Sequence, residues 1–370
     1  MVSSVLYISP ALPVGGLEKL IVRISALLAE KKTVRQYLVS LSDNNPLCTE
    51  FDASVEFHPF PRRSKFHLAP IRALRKLIRE KQPEVIVCLN FFSFLFAYLG
   101  CLGMKNKPRI FVFYQTTIHL NKKEFNLHKF YFSLLSKRDK VIAASVNQVN
   151  YTVDTYGISK DFFKIIYNGV NTDHFTSMPA NWDRDGFRAQ YGIPSSAKLI
   201  VMAAALRPEK NHTGALEALQ ILENTHHIKA YLLIAGGGIM EQEIRQHIQQ
   251  RGLTSRAILA GVQKDVRPVF WAADLFTLCS TSVETFSVAA LEAMSCGLPC
   301  VLTNIGGAKE MIQEGVTGHV CETPAADIAA AWAKTLTEPY STEAMHAYIV
   351  NNFSEPKMMA AYEKIFAEKE

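Results

Sequence analysis

Two glutamates stand eight residues apart in the string STSVETFSVAALEAMSCGLPCVLTNIGGAKEMI, residues 280–312. A carboxylate accepts hydrogen bonds through two oxygens, so Glu284 and Glu292 are each suited to bind a vicinal diol, as on a ribose or a hexose. Glu292 lies in an otherwise apolar run, where an unpaired carboxylate would be costly. The pattern therefore favours ligand binding over a solvated pair of surface side chains.

The loop ETFSV connects Glu284 to a helix that is predicted to begin near Val288. The first N–H groups of a helix have no partner within the helix, and together they form a site for phosphate. The sequence therefore predicts that one loop and one helix bind both a hydroxylated ring and a phosphate.

This string resembles the nucleotide-sugar motif of retaining GT-B glycosyltransferases of family four. In that family a Glu is followed by seven residues, a second Glu, Ala-Met-Ala-x-Gly-x-Pro and a Gly-Gly-x-x-Glu turn. The resemblance implies that Glu284 binds hydroxyls of the donor sugar and that Glu292 binds the ribose. It also implies that the amides of Phe286, Ser287 and Val288 face the sugar and diphosphate, with Ser287 standing where the family often has Gly.

The resemblance extends over nearly the whole chain. Residues 7–30 look like the family's opening strand, Gly-Gly-x-Glu loop and first helix, and the two glycines would let the backbone approach the donor closely. Residues 139–175 look like the segment that ends in Asn-Gly-Val-Asp, although the turn YNGVN can also be purely structural. Residues 205–212, ALRPEKNH, resemble the pyrophosphate loop, in which Lys210 would neutralise donor phosphate.

Two further segments match the family near the nucleotide. Glycines 236–238 follow a predicted strand, and they either contact the nucleotide or permit tight packing. Residues 259–266, LAGVQKDV, match the segment whose main-chain groups would read the base.

Two positions depart from the family pattern. The family usually has an Arg five residues before the Lys, where this chain has Ala205, and Arg207 is the candidate to reach the diphosphate instead. Many members carry a His after the fourth strand of the first domain. The simplest alignment puts Gln115 at that position, with His119 four residues later, so either side chain can stand near the reacting centre.

The predicted site residues form two overlapping groups. The predicted catalytic residues are Glu284, Lys210, His119 and Gln115, and the predicted donor-binding residues are Gly15, Gly16, Arg207, Lys210, Gly237, Val262, Glu284, Thr285, Phe286, Ser287, Val288 and Glu292. We expect no metal site and no cofactor, because the nucleotide-sugar is a co-substrate and no Asp-x-Asp stands beside a strand end.

The elements that must position these residues alternate between strand and helix almost throughout. We predict strands at VLYIS, QYLVSL, EVIVCLN, RIFVFY, KVIAAS, FKIIYN, KLIVMAA, AYLLIAG, AILAG, LFTLCS and PCVLT. Near-continuous apolar strands between helices indicate parallel sheets covered on both faces. The sequence therefore predicts an α/β protein with two Rossmann-like doubly wound parallel-sheet domains facing across a cleft, and the resemblance implies that this arrangement is the GT-B fold.

The pattern restarts after a polar stretch at residues 176–197. We therefore expect an acceptor-binding N-terminal domain at residues 1–178 and a nucleotide-sugar-binding domain at residues 190–350. Residues 354–370 are expected to form a helix that returns to the N-terminal domain, with Met358, Tyr362 and Phe366 on one face.

Composition limits the classes of protein that remain. The 370 residues allow two domains, and 48% apolar with 20% charged residues is ordinary for a globular α/β protein. Seven scattered cysteines without a CxxC pair indicate reduced thiols rather than a disulfide framework or zinc site. The N-terminus has no basic region of a signal peptide, and the apolar run 91–104 is too short to span a bilayer, so we expect a cytoplasmic protein.

Charge is unevenly distributed along the chain. Residues 1–180 hold 24 Lys and Arg against 13 Asp and Glu, whereas the remainder holds 16 against 21, which gives the overall +6. Aromatic interleaving typical of nucleic-acid binding is missing from the basic half, so we expect no nucleic acid as partner. The basic, amphipathic stretch 62–81 instead suggests an anionic membrane surface or a phosphorylated acceptor.

The resemblance implies retaining transfer of a hexose or N-acetylhexosamine, with a UDP-sugar favoured and GDP-mannose as the alternative donor. The expected acceptor is a glycan or a lipid-linked or phosphorylated molecule, in cell-surface polysaccharide or lipopolysaccharide synthesis. A peripheral location on the inner face of the membrane fits that acceptor. Two alternatives stay open: a UDP-N-acetylglucosamine 2-epimerase, and a degenerate nucleotide-binding subunit, suggested by Ala205 and Gln115.

Overall fold

The computed structural model describes residues 2–13, 16–64, 67–114 and 122–368. The chain divides into two compact units. The first unit comprises Met1–Ala144, Val149–Ile166 and Met359–Glu370, and the second comprises Ser145–Gln148 and Tyr167–Met358.

The described strands of the first unit form one parallel sheet in the order β3-β2-β1-β4-β5-β6-β7. These strands are β1 Ser4–Ser9, β2 Arg35–Ser40, β3 Glu56–Pro59, β4 Val85–Cys88, β5 Arg109–Phe113, β6 Lys140–Ala143 and β7 Phe163–Ile165. The helices are α1 Gly16–Ala29, α2 Ala69–Lys81, α3 Phe91–Cys101, α4 Lys122–Ser133 and α5 Val146–Tyr156. The central strand β4 is buried at all four residues, as expected for a parallel strand that is covered on both faces.

The apolar run after β4, which is too short to span a bilayer, forms the largely buried helix α3. Its N-terminus is fixed by a capping box in which the Ser93 N–H donates to Asn90 and the Asn90 N–H donates to the Ser93 hydroxyl. A Cβ on Gly100 would lie 3.4–3.5 Å from Ile78 and Leu74 of α2, so the small residue sits where the two helices pack closely. Among the described residues no helix is long and apolar enough to cross a membrane.

The described strands of the second unit form a parallel sheet in the order β10-β9-β8-β11-β12-β13. Its strands are β8 Lys198–Ala203, β9 Ala230–Ala235, β10 Ala257–Gly261, β11 Leu275–Leu278, β12 Cys300–Thr303 and β13 Gly318–Cys321. The remaining helices along the chain are α6 Arg184–Gln190, α7 His212–His226, α8 Glu241–Gln250, α9 Arg267–Ala272, α10 Val288–Ser295, α11 Ala308–Met311, α12 Ala325–Thr337, α13 Thr342–Phe353 and α14 Glu355–Ala367. The two doubly wound parallel sheets confirm the predicted α/β fold class.

The polar stretch 176–197 contains α6, which the sequence pattern did not predict. Arg188 of α6 is 1% exposed, and its guanidinium donates to Asp274 at 2.9 Å and to the carbonyl of Ala272 at 2.9 Å. Burial lowers the pKa of Arg188, and the nearby Asp274 opposes that shift. This stretch is therefore packed into the second unit through one buried arginine.

The last helix, α14, carries the predicted apolar face. Met358, Tyr362 and Phe366 are all buried, which confirms the prediction for these three side chains. Tyr362 and Phe366 pack against Phe113 and Phe111 of β5, with ring centroids 5.9 and 5.1 Å apart. Residues from Met359 onwards belong to the first unit.

Two strands lie outside the predicted set. Strand β3 reads EFHP and β13 reads GHVC, so each is short and mixes polar with apolar residues. Both pair at an edge of their sheet, where one side of the strand lacks a neighbour and the apolar pattern is weak.

Candidate functional site

Strand β8 ends in the loop that carries the predicted pyrophosphate lysine. The N–H of Leu206 donates to the carbonyl of Gly237 at 3.0 Å, and Pro208–Lys210 forms a short 3-10 helix. Asn211 then adopts a left-handed conformation, φ 56°, and its side chain caps α7 by accepting from the Gly214 N–H. Lys210 therefore stands directly before the N-cap residue of α7.

The glycine turn after β9 supports this loop. Gly236 and Gly238 have φ values of 152° and 158°, and a Cβ on either would lie 2.0 or 2.4 Å from a carbonyl oxygen of Ala204 or Leu206. Of the two predicted alternatives, tight packing therefore accounts for these two glycines. Gly237 faces elsewhere: its Cβ would lie 2.8 Å from a methyl carbon of Val262, a side chain that is 76% exposed.

Strand β11 leads into the loop that carries Glu284, and two glycines hold that loop. Gly306 has φ 59°, and a Cβ there would lie 1.8 Å from the carbonyl oxygen of Glu284. The N–H of Gly307 donates to the carbonyl of Thr285 at 2.8 Å. The Gly-Gly pair of the motif therefore shapes the backbone on which Glu284 and Thr285 stand.

The two loops meet through an ion pair between predicted site residues. Lys210 Nζ donates to Glu284 Oε2 at 2.6 Å, although the two residues are 74 positions apart in sequence. The backbones join as well, since the Thr281 N–H donates to the carbonyl of Glu209 at 2.9 Å. Both charged side chains remain about one fifth exposed, at 18% and 19%, so a ligand can still reach them.

Ser287 caps the helix α10 that follows this loop. Its hydroxyl accepts from the Ala290 N–H at 3.2 Å, which a Gly at this position could not provide. Val288, the first helical residue, is 42% exposed, and Glu292 lies half-buried one turn further on. Ser287, which stands where the family often has Gly, therefore has a structural role as the cap of α10.

Phe286 points into the protein rather than outward. Its ring is 3% exposed and stacks on Tyr167 with centroids 4.9 Å apart, and its carbonyl accepts from the side chain of the buried Asn168 at 2.9 Å. In the same turn, a Cβ on Gly169 would lie 2.9 Å from Ser354 and Glu355. The YNGVN segment therefore has a structural role in supporting the Glu284 loop.

Glu310 completes the motif and was not predicted as a site residue, although its Gly-Gly-x-x-Glu signal was in the sequence. Its carboxylate accepts from the N–H groups of Val146 and Asn147, each at 2.8 Å, and from the Tyr167 hydroxyl at 3.0 Å. Burial, and then this bond, raise the pKa of Tyr167 to about 12. Glu310 thus holds the segments on which the Phe286 ring rests.

His212 is a second residue that sequence reasoning missed, and it is buried. It is the first residue of α7 and is 3% exposed, and no described residue gives its Nε2 a hydrogen-bond partner. Burial lowers the pKa of His212 to about 4, with the charge of Lys210 as a smaller cause, so the imidazole is neutral at pH 7. Its position two residues after Lys210 was the available signal.

The structure brings some of the predicted residues together and leaves others apart. Lys210 and Glu284 are in contact, whereas the Arg207 side chain is 65% exposed and its nearest carboxylate, Glu209, is 4.0 Å away. Gly16 begins α1 in the first unit, with open space around its Cβ position. Three predicted residues, Gly15, Gln115 and His119, lie outside the described residues.

Within the described ranges, no group of three or more His, Cys, Asp or Glu side chains is placed to hold a metal ion. All seven cysteines are free thiols, and five of them are buried. The ion pair supplies one cation and one carboxylate, and α10 begins four residues after Glu284, so groups able to bind an anion and a hydroxyl lie on these two loops.

Comparison with known proteins identifies the family. A model of the glycosyl transferases group 1 matches residues 183–352, and a model of glycosyltransferase family 4 matches residues 14–174. The chain belongs to the glycosyltransferase family that these two models describe. The family match assigns the second unit's ion pair and the 280–312 motif to the group 1 region.

Individual curated relatives have low sequence identity to this chain. The N-acetyl-alpha-D-glucosaminyl L-malate synthase of Bacillus anthracis is 29% identical over 188 residues, which are 51% of this chain and 47% of that protein. The chain matches about half the length of the curated relatives that resemble it.

Two solved structures share the fold of this chain. A glycosyltransferase from Rickettsia africae ESF-5 superposes with a TM-score of 0.82 at 21% identity, covering 98% of this chain and 97% of the other. HepE of Anabaena, in complex with UDP, superposes with a TM-score of 0.80 at 17% identity, covering 98% of each chain. These glycosyltransferases confirm the GT-B fold.

Proposed function

We propose that this chain is a retaining glycosyltransferase that moves a hexose or N-acetylhexosamine from a nucleotide-sugar to a glycan or lipid-linked acceptor. A UDP-sugar is the favoured donor, with GDP-mannose as the alternative. The acceptor belongs to cell-surface polysaccharide or lipopolysaccharide synthesis, at the cytoplasmic face of the membrane.

The observation that carries this proposal is the 2.6 Å contact between Lys210 Nζ and Glu284 Oε2. The two residues come from loops that follow β8 and β11, which are neighbours in the sheet. Ligands of doubly wound sheets bind at the carboxyl ends of such strands. A cation for phosphate and a carboxylate for sugar hydroxyls therefore stand side by side where a nucleotide-sugar is expected.

The ion pair also suggests how the donor is activated. A nucleoside diphosphate is a leaving group that gains negative charge as the glycosidic bond breaks, so fixed positive charge stabilises the transition state. Lys210 would exchange Glu284 for the donor phosphate, and Glu284 would then be free to accept from sugar hydroxyls. The unpaired N–H groups at the start of α10 would add a second favourable dipole.

We further propose that the sugar keeps its anomeric configuration through a front-face displacement. In that reaction the departing phosphate oxygen takes the proton of the attacking acceptor hydroxyl, so no enzyme carboxylate becomes covalently bound. Gln115 or His119 would stand near the reacting centre.

Two similar proteins support the choice of donor. One superposed structure contains UDP, and one relative is named for transfer of N-acetylglucosamine to malate. Both observations fit a UDP-linked hexose or N-acetylhexosamine, and they leave the acceptor to be found by experiment.

The test is donor hydrolysis, followed as release of nucleoside diphosphate from UDP-glucose, UDP-N-acetylglucosamine and GDP-mannose. We expect Lys210→Ala to slow release by roughly 10²-fold, the scale of losing one preorganised charge stabiliser. Arg207→Ala is measured in parallel, since it removes an exposed cation three residues away. It also tests whether Arg207 replaces the missing arginine at Ala205.

Three outcomes would contradict the proposal. If wild type and Lys210→Ala release nucleoside diphosphate at equal rates, the ion pair does not have the role assigned to it. Conversion of UDP-N-acetylglucosamine to the manno sugar without acceptor indicates an epimerase. Nucleotide binding without turnover of any donor, across a panel of glycan and lipid acceptors, indicates a non-catalytic subunit.

A further inference from the structure

A groove opens on the first unit at the amino ends of its strands. Its walls come from the segments that lead into four neighbouring strands: Val2 before β1, residues 82–84 before β4, residues 103–108 before β5 and Arg138 before β6. Its volume is about 850 Å³, which lies in the range of small-molecule sites. Ligands of doubly wound sheets bind at the carboxyl ends, so this groove is separate from the proposed donor and acceptor sites.

Positive charge dominates this basic groove. Five basic side chains line it: Arg79, Lys105, Lys107, Arg109 and Arg138. The one carboxylate among its described lining residues, Glu84, accepts from the N–H and the hydroxyl of Ser3 at 3.0 and 2.7 Å. The buried Asp139 interacts electrostatically with Lys107, but it accepts from the hydroxyl of Ser136 at 2.7 Å. Both nearby carboxylates therefore have hydrogen-bond donors of their own.

The helix ends at this edge account for part of the positive charge. The C-terminal carbonyls of a helix carry partial negative charge, which attracts basic side chains. Arg75 donates to the carbonyl of Leu102 at 2.6 Å after α3, and Arg109 donates to the carbonyl of Glu368 at 2.6 Å after α14. Helix dipoles therefore explain these two arginines, whereas residues 103–108 form a loop that adds two lysines.

Three cations of the basic groove form no ion pair with any described residue. These side chains, Arg79, Lys105 and Lys107, are all exposed. Arg79 belongs to α2, whereas both lysines belong to the loop before β5, so unneutralised cations stand on two walls. A cleft lined by one sign of charge raises the local concentration of ions of the opposite sign. The basic groove therefore favours an anion whose charges are spread over both walls.

The apolar lining limits the kind of anion. No large apolar side chain among the described lining residues is exposed, and Val2, Ile78 and Phe366 are all buried. A protein interface needs an apolar centre, and unpaired bases need an aromatic face on which to stack. Arg and Lys bind phosphate through charge-assisted hydrogen bonds without either feature. These observations favour a small phosphorylated ligand over a protein or a nucleic acid.

We propose that the basic groove binds a soluble small molecule that carries two or more phosphate groups. Arg79 binds one phosphate, and Lys105 and Lys107 bind another across the groove. Strands β4 and β5 have four and five residues, so at about 3.3 Å per residue they separate this groove from the opposite edge of the sheet by roughly 13–17 Å. The ligand is therefore not a substrate of the proposed transfer, and the inference does not depend on that function.

The experiment is titration calorimetry of the full chain with inorganic tripolyphosphate at physiological ionic strength. Every sample carries Lys210→Ala, so that the proposed donor phosphate site does not contribute. The test variant adds Arg79→Gln with Lys107→Gln. The matched control adds Arg72→Gln with Lys123→Gln, which removes one arginine and one lysine from exposed positions outside the groove. Circular dichroism and thermal melting check that each variant folds.

We expect the Lys210→Ala chain to bind tripolyphosphate with a dissociation constant below about 1 mM. The test variant should bind at least about tenfold more weakly, because it removes a charged hydrogen-bond donor from each wall. The control should stay within about threefold, since exposed charges beyond about 8 Å are screened by salt. Inorganic phosphate should bind at least about tenfold more weakly than tripolyphosphate, because a single phosphate meets one wall.

Four results would overturn the proposal. The first is a Lys210→Ala chain that does not bind tripolyphosphate, and the second is equal affinity of the test variant and the control. The third is inorganic phosphate that binds as tightly as tripolyphosphate. The fourth is displacement of tripolyphosphate by phosphatidylglycerol vesicles, which indicates a lipid headgroup instead of a soluble ligand. Donor hydrolysis by wild type is measured separately, so failure of this site is distinguished from failure of the proposed transferase activity.

Discussion

The carboxylate of Glu292 lies half-buried beside the thiol of Cys296, whose pKa is raised to about 12 by burial first and by that carboxylate second. If Glu292 binds the ribose, Glu292→Ala should weaken the binding of UMP and of UDP to the same extent. The expected loss is about 1.5–3 kcal/mol, the scale of a hydrogen bond to a charged group. Titration calorimetry measures both affinities.

Lys210→Ala is the counterpart in the same calorimetric series. Because it removes a phosphate partner, its effect should be larger for UDP than for UMP. If Glu292→Ala binds every nucleotide with unchanged affinity, Glu292 does not bind the ribose. If Lys210→Ala loses equal affinity for UMP and for UDP, Lys210 does not bind the diphosphate.

We expect the free energy of unfolding to depend on pH through His212. Its pKa is about 4 in the folded chain against an ordinary 6.5, so below pH 6.5 the unfolded chain binds the proton first. The stability that the neutral imidazole contributes is therefore present above pH 6.5. It is lost as the pH falls towards 4, by up to about 1.4 kcal/mol per pH unit. Thermal melting of His212→Gln should show a shallower acid decline than wild type. Parallel curves over this window would mean that another group titrates.

At the scale of an element, the turn after β12 positions the Glu284 loop. Gly306→Ala would place a methyl group 1.8 Å from the Glu284 carbonyl oxygen, so the loop must shift. We expect donor hydrolysis to fall by roughly 10²-fold, as for a displacement of about 1 Å at a reacting site.

Gly315→Ala provides the matched control for this substitution. Gly315 also has a left-handed φ, 74°, but open space surrounds its Cβ position. The control should lose only about 1–2 kcal/mol of stability from backbone strain and should keep its activity. Similar hydrolysis rates in the two variants would mean that strain, not displacement of Glu284, explains the effect of Gly306→Ala.

At the scale of the whole chain, donor binding should appear as stability. UDP at about 100 times its Kd should stabilise the native state by about 2.7 kcal/mol. For a unit of 150–250 residues this raises the melting temperature by roughly 5–10 °C. Differential scanning calorimetry with UDP, GDP and uridine measures the shift, and uridine, which lacks phosphate, should give the smallest one. If none of the nucleoside diphosphates changes the melting profile, the Lys210–Glu284 pair is not a nucleotide site.

The sequence by itself determined the class of fold and the loops that carry the chemistry. Apolar strands such as VIVC and LLIA are buried on both faces, so their pattern is strong and local. The edge strands β3 and β13 were not predicted from the sequence, because an edge strand needs fewer apolar residues. Helix α6 was not predicted either, because its stability depends on the buried Arg188 and its distant acceptors. A local pattern cannot contain a contact whose partners are some 80 or more residues apart.

Only the tertiary structure decided which candidate residues stand together. Motif spacing selected Lys210 and Glu284 separately, but their ion pair exists because β8 and β11 are neighbours in the sheet. The same holds for Gly306, whose missing side chain is explained by a carbonyl 22 positions earlier. It also holds for the basic groove, because its walls come from segments that precede four different strands. Residue type and spacing specify local geometry and chemical capacity, whereas proximity across the sheet is set by the order in which strands pair.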